Sequence, residues 1–126
     1  MKMNLSVLKD VYGVCRLKPD ESVPDWASAG AIYTVSKTFD ELSIICQASL
    51  IPQGIQVELG WRVMKVEGPL DFDLIGILAT LSGSLADRGV SIFAVSTFDT
   101  DYLLVKEKDY KNAVEALRDA GHTILE

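Results

Sequence analysis

Few side chains in this 126-residue chain are placed to do chemistry, and they fall into four small groups. The single histidine, His122, follows Gly121 near the end of the sequence and reads as a strand-edge or surface residue. Cys15 and Cys46 lie in separate apolar, β-like runs and read as buried free thiols that pack as small hydrophobes. A disulfide is less expected without export, and a metal pair would lack its other ligands. The acids Asp71 and Asp73, and Asp99 and Asp101, form two close pairs. Their spacing matches no Mg²⁺ or Ca²⁺ loop, so no metal site is expected. A helix cap and a hairpin turn explain Asp71, Asp73 and Asp99, whereas Asp101 opens a strand beside the bulky Tyr102. No Gly-x-Ser-x-Gly elbow, His-Glu-x-x-His pair or glycine-rich phosphate loop occurs. The expectation is a protein without catalytic residues and without a cofactor.

The fourth group suits binding. Gly76 and Ile77 fall in the first turns of an expected helix, where backbone N–H groups lack acceptors and favour an anion. A glycine inside a helix costs about 1 kcal/mol relative to alanine. Close packing would explain it, and so would a ligand carboxylate approaching the amides. The α-carboxylate of an amino acid would then meet the stretch from Asp73 to Ile77. Its α-ammonium would need an acceptor, either Asp101 or the carbonyls near Ser91 and Ile92. Asp71 or Asp73 would compete for the same amides.

The elements that must position these residues follow from hydrophobic period. Residues 11–17 read as a strand that ends before Pro19, and 24–30 as a turn or two of helix. Residues 31–36 and 42–47 form an expected hairpin, and 52–60 a connector. Residues 61–66 alternate as a strand. Apolar positions at 74, 75, 77, 78, 81 and 85 mark a helix that Asp71 or Asp73 starts and Gly89 ends. Strands at 90–98 and 102–106 follow. A helix capped by Asp109 with the face Tyr110, Ala113, Val114 and Leu117 comes next, closed by Gly121, and a last short strand ends the order. From Trp61 the order is βαββαβ, which packs two helices on one face of an antiparallel sheet. Trp26 and Trp61 read as core and interface anchors.

A shift of 59 positions places Gly30 on Gly89 and Thr38-Phe39-Asp40 on Thr97-Phe98-Asp99. Such a match between similar strand pairs indicates a repeated unit whose first copy has largely lost its first helix. The expected class is α+β, two unequal ferredoxin-like units at 1–60 and 61–126 in one compact body.

Composition excludes several alternatives. Hydrophobic residues are 48% and charged residues 24%, a globular balance. The net charge of −6, with lysines and arginines scattered, argues against nucleic acid as a partner. No apolar run approaches the ~18–20 residues of a membrane span, and residues 1–10 lack the apolar core of a signal peptide. A cytoplasmic location without membrane contact is expected.

Several phrases carry a resemblance: Val14-Cys15-Arg16-Leu17, Pro24-Asp25-Trp26-Ala27, Asp40-Glu41-Leu42-Ser43-Ile44, Gly60-Trp61-Arg62, Gly68-Pro69-Leu70-Asp71-Phe72 with Gly76-Ile77-Leu78-Ala79, and the run from Ser96 to Val105. Their order over nearly the whole chain resembles small bacterial proteins of two tandem ACT-like units. It is also similar to the ACT repeats of the animal cytosolic arginine sensors. The resemblance implies a ligand class, because ACT units commonly bind amino acids where two units meet. It also implies a ligand-side role for an acid at the position of Asp101. The implied function is a regulatory module sensing a small amino acid, with a homodimer or a separate effector protein as partner. A protein-interaction or dimerisation module with a vestigial pocket is the alternative.

Overall fold

The computed structural model describes residues 2–68 and 75–126. It divides into two compact units, Asp10–Trp61 and a second that joins the residues up to Lys9 to those from Arg62 onward.

In the first, β2 (Tyr12–Leu17), β3 (Thr34–Lys37), β4 (Leu42–Gln47) and the start of β5 (Gln56–Val66) are ordered β3-β4-β2-β5. Short 3-10 turns at Asp25–Ser28 and Ala48–Leu50 stand where helices would connect these strands. The core is Cys15, Leu17, Ala27, Leu42, Ile44 and Cys46, with Trp26, Ile51, Ile55 and Val57 packed against it. The expected connector at 52–60 is corrected here. From Gln56 it is strand, because Val57 and Glu58 pair with Cys15 and Val14.

The second unit holds β1 (Asn4–Val7), the end of β5, α1 (Ile77–Asp87), β6 (Ile92–Ser96), β7 (Asp101–Lys106), α2 (Tyr110–Asp119) and β8 (Thr123–Leu125). Its strand order is β8-β1-β5-β7-β6. From β5 the chain runs βαββαβ, as the periodicity indicates. The strand at the N-terminus was not expected. β1 pairs antiparallel with β5, Leu5 opposite Val66, and parallel with β8, Leu5 opposite Ile124. Residues up to Lys9 therefore sit with the C-terminal unit, whereas the sequence reading groups them with 10–60.

Both helices bury one stripe. Ile77, Leu81 and Leu85 on α1, and Ala113, Val114, Ala116 and Leu117 on α2, share a core with Leu5, Met64, Val66, Leu103, Val105 and Ile124. Each fully buried aliphatic side chain there is worth about 1.5–3 kcal/mol. α1 stops at Gly89 (φ +72°), a conformation that favours glycine, and Val90 N–H closes back onto the Leu85 carbonyl. Asp109 occupies the position before α2, yet its side chain makes no capping bond; a 3-10 turn at Glu107–Asp109 leads into the helix instead.

The hairpins β3–β4 and β6–β7 have the same register at the 59-residue offset. Lys37 faces Leu42 as Ser96 faces Asp101, and Val35 faces Ile44 as Ala94 faces Leu103. Both turns close the same way. Thr38 N–H donates to the Glu41 carbonyl at 2.9 Å, and Thr97 N–H to the Thr100 carbonyl at 2.8 Å. Each threonine hydroxyl in turn accepts an amide, from Glu41 and from Thr100. A short polar side chain that bonds the backbone in this way is what makes Thr suited to the turn.

Candidate functional site

Three of the expected ligand residues share one end of the C-terminal unit. Gly76 immediately precedes α1 in a left-handed conformation (φ +82°), and an added Cβ would meet nothing within 4 Å. This corrects the expectation that Gly76 lies inside the helix. The helix starts at Ile77, and Gly76 has no side chain with which to cap it. The amides of the first turn consequently have no side-chain cap from that position. Ile77 is buried, 6% exposed, and fixes this end of the helix to the core. Thr80 N–H donates to the Gly76 carbonyl at 2.8 Å, the first bond of the helix. The cap that Asp71 or Asp73 was expected to supply, and the role of Asp73 in binding, lie outside the described residues.

Asp101 reaches the same end through the β6–β7 turn. Thr100, 4% exposed, donates its hydroxyl to the carbonyl of Val66 at 2.5 Å, tying the turn to the end of β5 from which the chain departs toward α1. Asp101 is half-buried and accepts the Ser96 hydroxyl at 2.6 Å across the strand pair. That bond orients the carboxylate and occupies one of its acceptor positions.

Ser91 and Ile92 lie elsewhere. They follow the turn at Arg88–Gly89, at the C-terminal end of α1, with Ile92 opposite Val105. An 11-residue helix is about 16 Å long. One copy of the unit therefore holds Gly76, Ile77 and Asp101 at one end and Ser91 and Ile92 at the other.

His122, expected at a strand edge or on the surface, immediately precedes the end strand β8 but is buried. It is 4% exposed, and its Nδ1 accepts the Met3 N–H at 3.0 Å. The neutral ring must then carry its proton on Nε2. Burial pushes its pKa below the usual histidine value, with Lys2 adding to the effect. A second cluster was not anticipated. The Arg62 guanidinium lies 4.4 Å from the Tyr110 ring centroid, Tyr110 donates to Glu126 at 2.6 Å, and Arg118 bonds both Glu126 and the Ile124 carbonyl. The hydrogen bond from Tyr110 is the main cause that holds the Glu126 carboxyl below its usual range. These residues come from β5, α2 and the end of the chain, so no local pattern marks them. Tyr12 is fully buried, and its hydroxyl has no partner among the described residues. No group of three or more potential metal ligands occurs among the described residues.

Two helices packed on a mainly antiparallel sheet define a ferredoxin-like α+β domain, and the comparisons give its family. An ACT-domain family model matches residues 56–119, and a second model, of an N-terminal domain, matches residues 10–54. The chain belongs to the ACT-domain family. It is similar to a crystallised protein from Agobacterium tumefaciens, 40% identical, with a TM-score of 0.94 over 99% of this chain and 93% of that one. The regulatory subunit of aspartate kinase from Thermus thermophilus shares the fold at 11% identity, with a TM-score of 0.63 over 93% of this chain and 96% of that one. Among curated proteins, the human cytosolic arginine sensor for mTORC1 subunit 1 is 39% identical over 59 residues. That match spans 46% of this chain and 18% of the sensor.

Proposed function

We propose that this chain is a non-catalytic regulatory module that binds a small amino acid at the start of α1. The observation that carries the reading is that one end of one unit holds both a helix start whose N-cap residue, Gly76, supplies no side chain and the carboxylate of Asp101. A zwitterion needs both. Its α-carboxylate would take the amides around Ile77, and its α-ammonium would take Asp101. Ser91 and Ile92 would reach such a ligand from a second copy of the unit, which makes a homodimer the expected binding form. The likeness to a protein named as a cytosolic arginine sensor supports an amino acid as ligand, a cytoplasmic location and a separate effector protein as partner. The same reading takes Asp10–Trp61 as an abbreviated tandem ACT-like unit, supported by its matching strand order and hairpin register.

Thermal-shift screening against the twenty amino acids tests this. A ligand at 100 times its Kd adds about 2.7 kcal/mol of stability. Asp101→Asn, which keeps the shape and removes the charge, should then weaken binding roughly tenfold to a hundredfold. Gly76→Val is a poorer probe, since a β-branched residue is strained at φ +82°. If no amino acid binds at millimolar concentration, the sensor reading fails. A protein-interaction module then takes its place, favoured by Phe39 and Phe98, which stand 103% and 80% exposed at equivalent hairpin tips.

A further inference from the structure

Cys15 and Cys46 belong to the core of the Asp10–Trp61 unit and play no part in the proposed ligand site. On the antiparallel pair β2–β4, Gly13 faces Cys46 and Cys15 faces Ile44. Alternate residues of a strand share a face, so both cysteines point the same way. The direct neighbour of Cys46 carries no side chain, and the next one along that face of β2 is Cys15. Both thiols are buried, at 1% and 0% exposure, in one small cluster with Leu17, Ala27, Leu42 and Ile44, and they are electrostatic neighbours. Diagonal neighbours on one face stand about 7–8 Å apart, at the edge of what a disulfide spans. The bond therefore needs a backbone shift of the kind that local opening supplies, but no change of register.

We propose that Cys15 and Cys46 form a reversible disulfide that staples β2 to β4, made by exchange with a small-molecule disulfide. The Cys46 thiolate attacks one sulfur of the reagent, forming a mixed disulfide and releasing one thiolate. Cys15 then gives up its proton and displaces the second thiolate as the protein S–S bond closes. The protein loses two electrons and two protons, and the reagent is reduced to two thiols. With Cys15 attacking first the two roles exchange and the product is the same. Burial pushes both thiols up, Cys15 to about 12, so the pair is inert while β4 is seated. Exchange proceeds when the β3–β4 hairpin, whose β3 is an edge strand, opens locally. The closed bond then constrains the chain between the two cysteines, in a unit that has no α-helix to hold it.

The test incubates the full chain with oxidised glutathione in sub-denaturing urea, then removes both. The expected product is lighter by two hydrogens, carries no glutathione, shows no thiol on denaturation and yields a peptide joining Cys15 to Cys46. Its melting temperature should rise by roughly 5 °C or more and fall back with dithiothreitol. Cys15→Ala should instead keep glutathione on Cys46, and Cys46→Ala should keep it on Cys15, neither with a gain in melting temperature. Two free thiols after treatment, a lasting glutathione adduct on the unmutated chain, or a disulfide that lowers the melting temperature would each overturn the proposal.

Discussion

Two single residues are held by contacts that a substitution would expose. At Gly13 an added Cβ would lie 2.7 Å from Ile51 Cδ1 and 2.9 Å from Val57 Cγ2, closer than real Cβ atoms come. Overpacking of this kind costs about 1–3 kcal/mol, so Gly13→Ala should lower the denaturant midpoint of the Asp10–Trp61 unit. An unchanged midpoint would mean that Ile51 and Val57 move aside freely. His122 makes the opposite kind of prediction, one of pH. Its folded pKa lies below the unfolded value of about 6.5, so the unfolded chain binds the extra proton first. The stability it contributes is complete above that value and is lost as pH falls through the folded pKa. Protonation also places a hydrogen on Nδ1, which ends the bond from Met3 N–H. Melting temperature should drop between pH 7.5 and 5, and His122→Phe should flatten that part of the profile. A wild-type profile no steeper than the variant's would show that His122 titrates without consequence.

At the scale of elements, what the sequence revealed depended on how much each segment fixes its own partner. α2 was legible because Tyr110, Ala113, Val114 and Leu117 form a stripe by themselves and Gly121 (φ +99°) ends it. α1 was legible in its body, where Leu81 and Leu85 are both fully buried. Leu81→Ala should cost about 2–5 kcal/mol, read by chemical denaturation, and a loss under 1 kcal/mol would show that the helix is not anchored by that stripe. The start of α1 was not legible. Ile75 is apolar and fits the helical period, yet it is 86% exposed and outside the helix. Periodicity cannot see that Gly76 adopts a left-handed turn there. β1 was missed for a different reason: Asn4–Val7 is four residues with one fully buried side chain, and its neighbours β5 and β8 are remote in sequence. The candidate site divided along the same line. Gly76, Ile77 and Asp101 could be grouped from spacing and resemblance. The separation of Ser91 and Ile92 follows from chain direction along a helix whose length fixes the distance.

For the molecule as a whole, the N-terminal strand makes the unit boundary non-sequential, and this has a measurable consequence. Leu5 is fully buried in the core that holds Met64, Val66, Leu81, Leu103 and Leu117, while the chain between β1 and β5 folds into a separate unit. Hydrogen bonds from Leu8 N–H to Val63, from Glu67 N–H to Asn4 and from Thr123 N–H to Met3 tie the strand in on both sides. A fragment of residues 61–126 keeps every element of the βαββαβ order from β5 onward except the first residues of β5. It nevertheless loses the strand that fills the place between β5 and β8, exposing two edges and the cavity left by Leu5. That fragment should melt without cooperativity. In the full chain, Leu5→Ala should remove about 2–5 kcal/mol of stability. Hydrogen exchange would locate the loss, with protection falling at Leu103–Val105 and Val114–Leu117 while Cys15 and Ile44–Cys46 keep theirs. A cooperative fragment, or a Leu5→Ala variant that loosens β2 and β4 first, would show that β1 is dispensable to the C-terminal unit and that the division at Trp61 follows the chain after all.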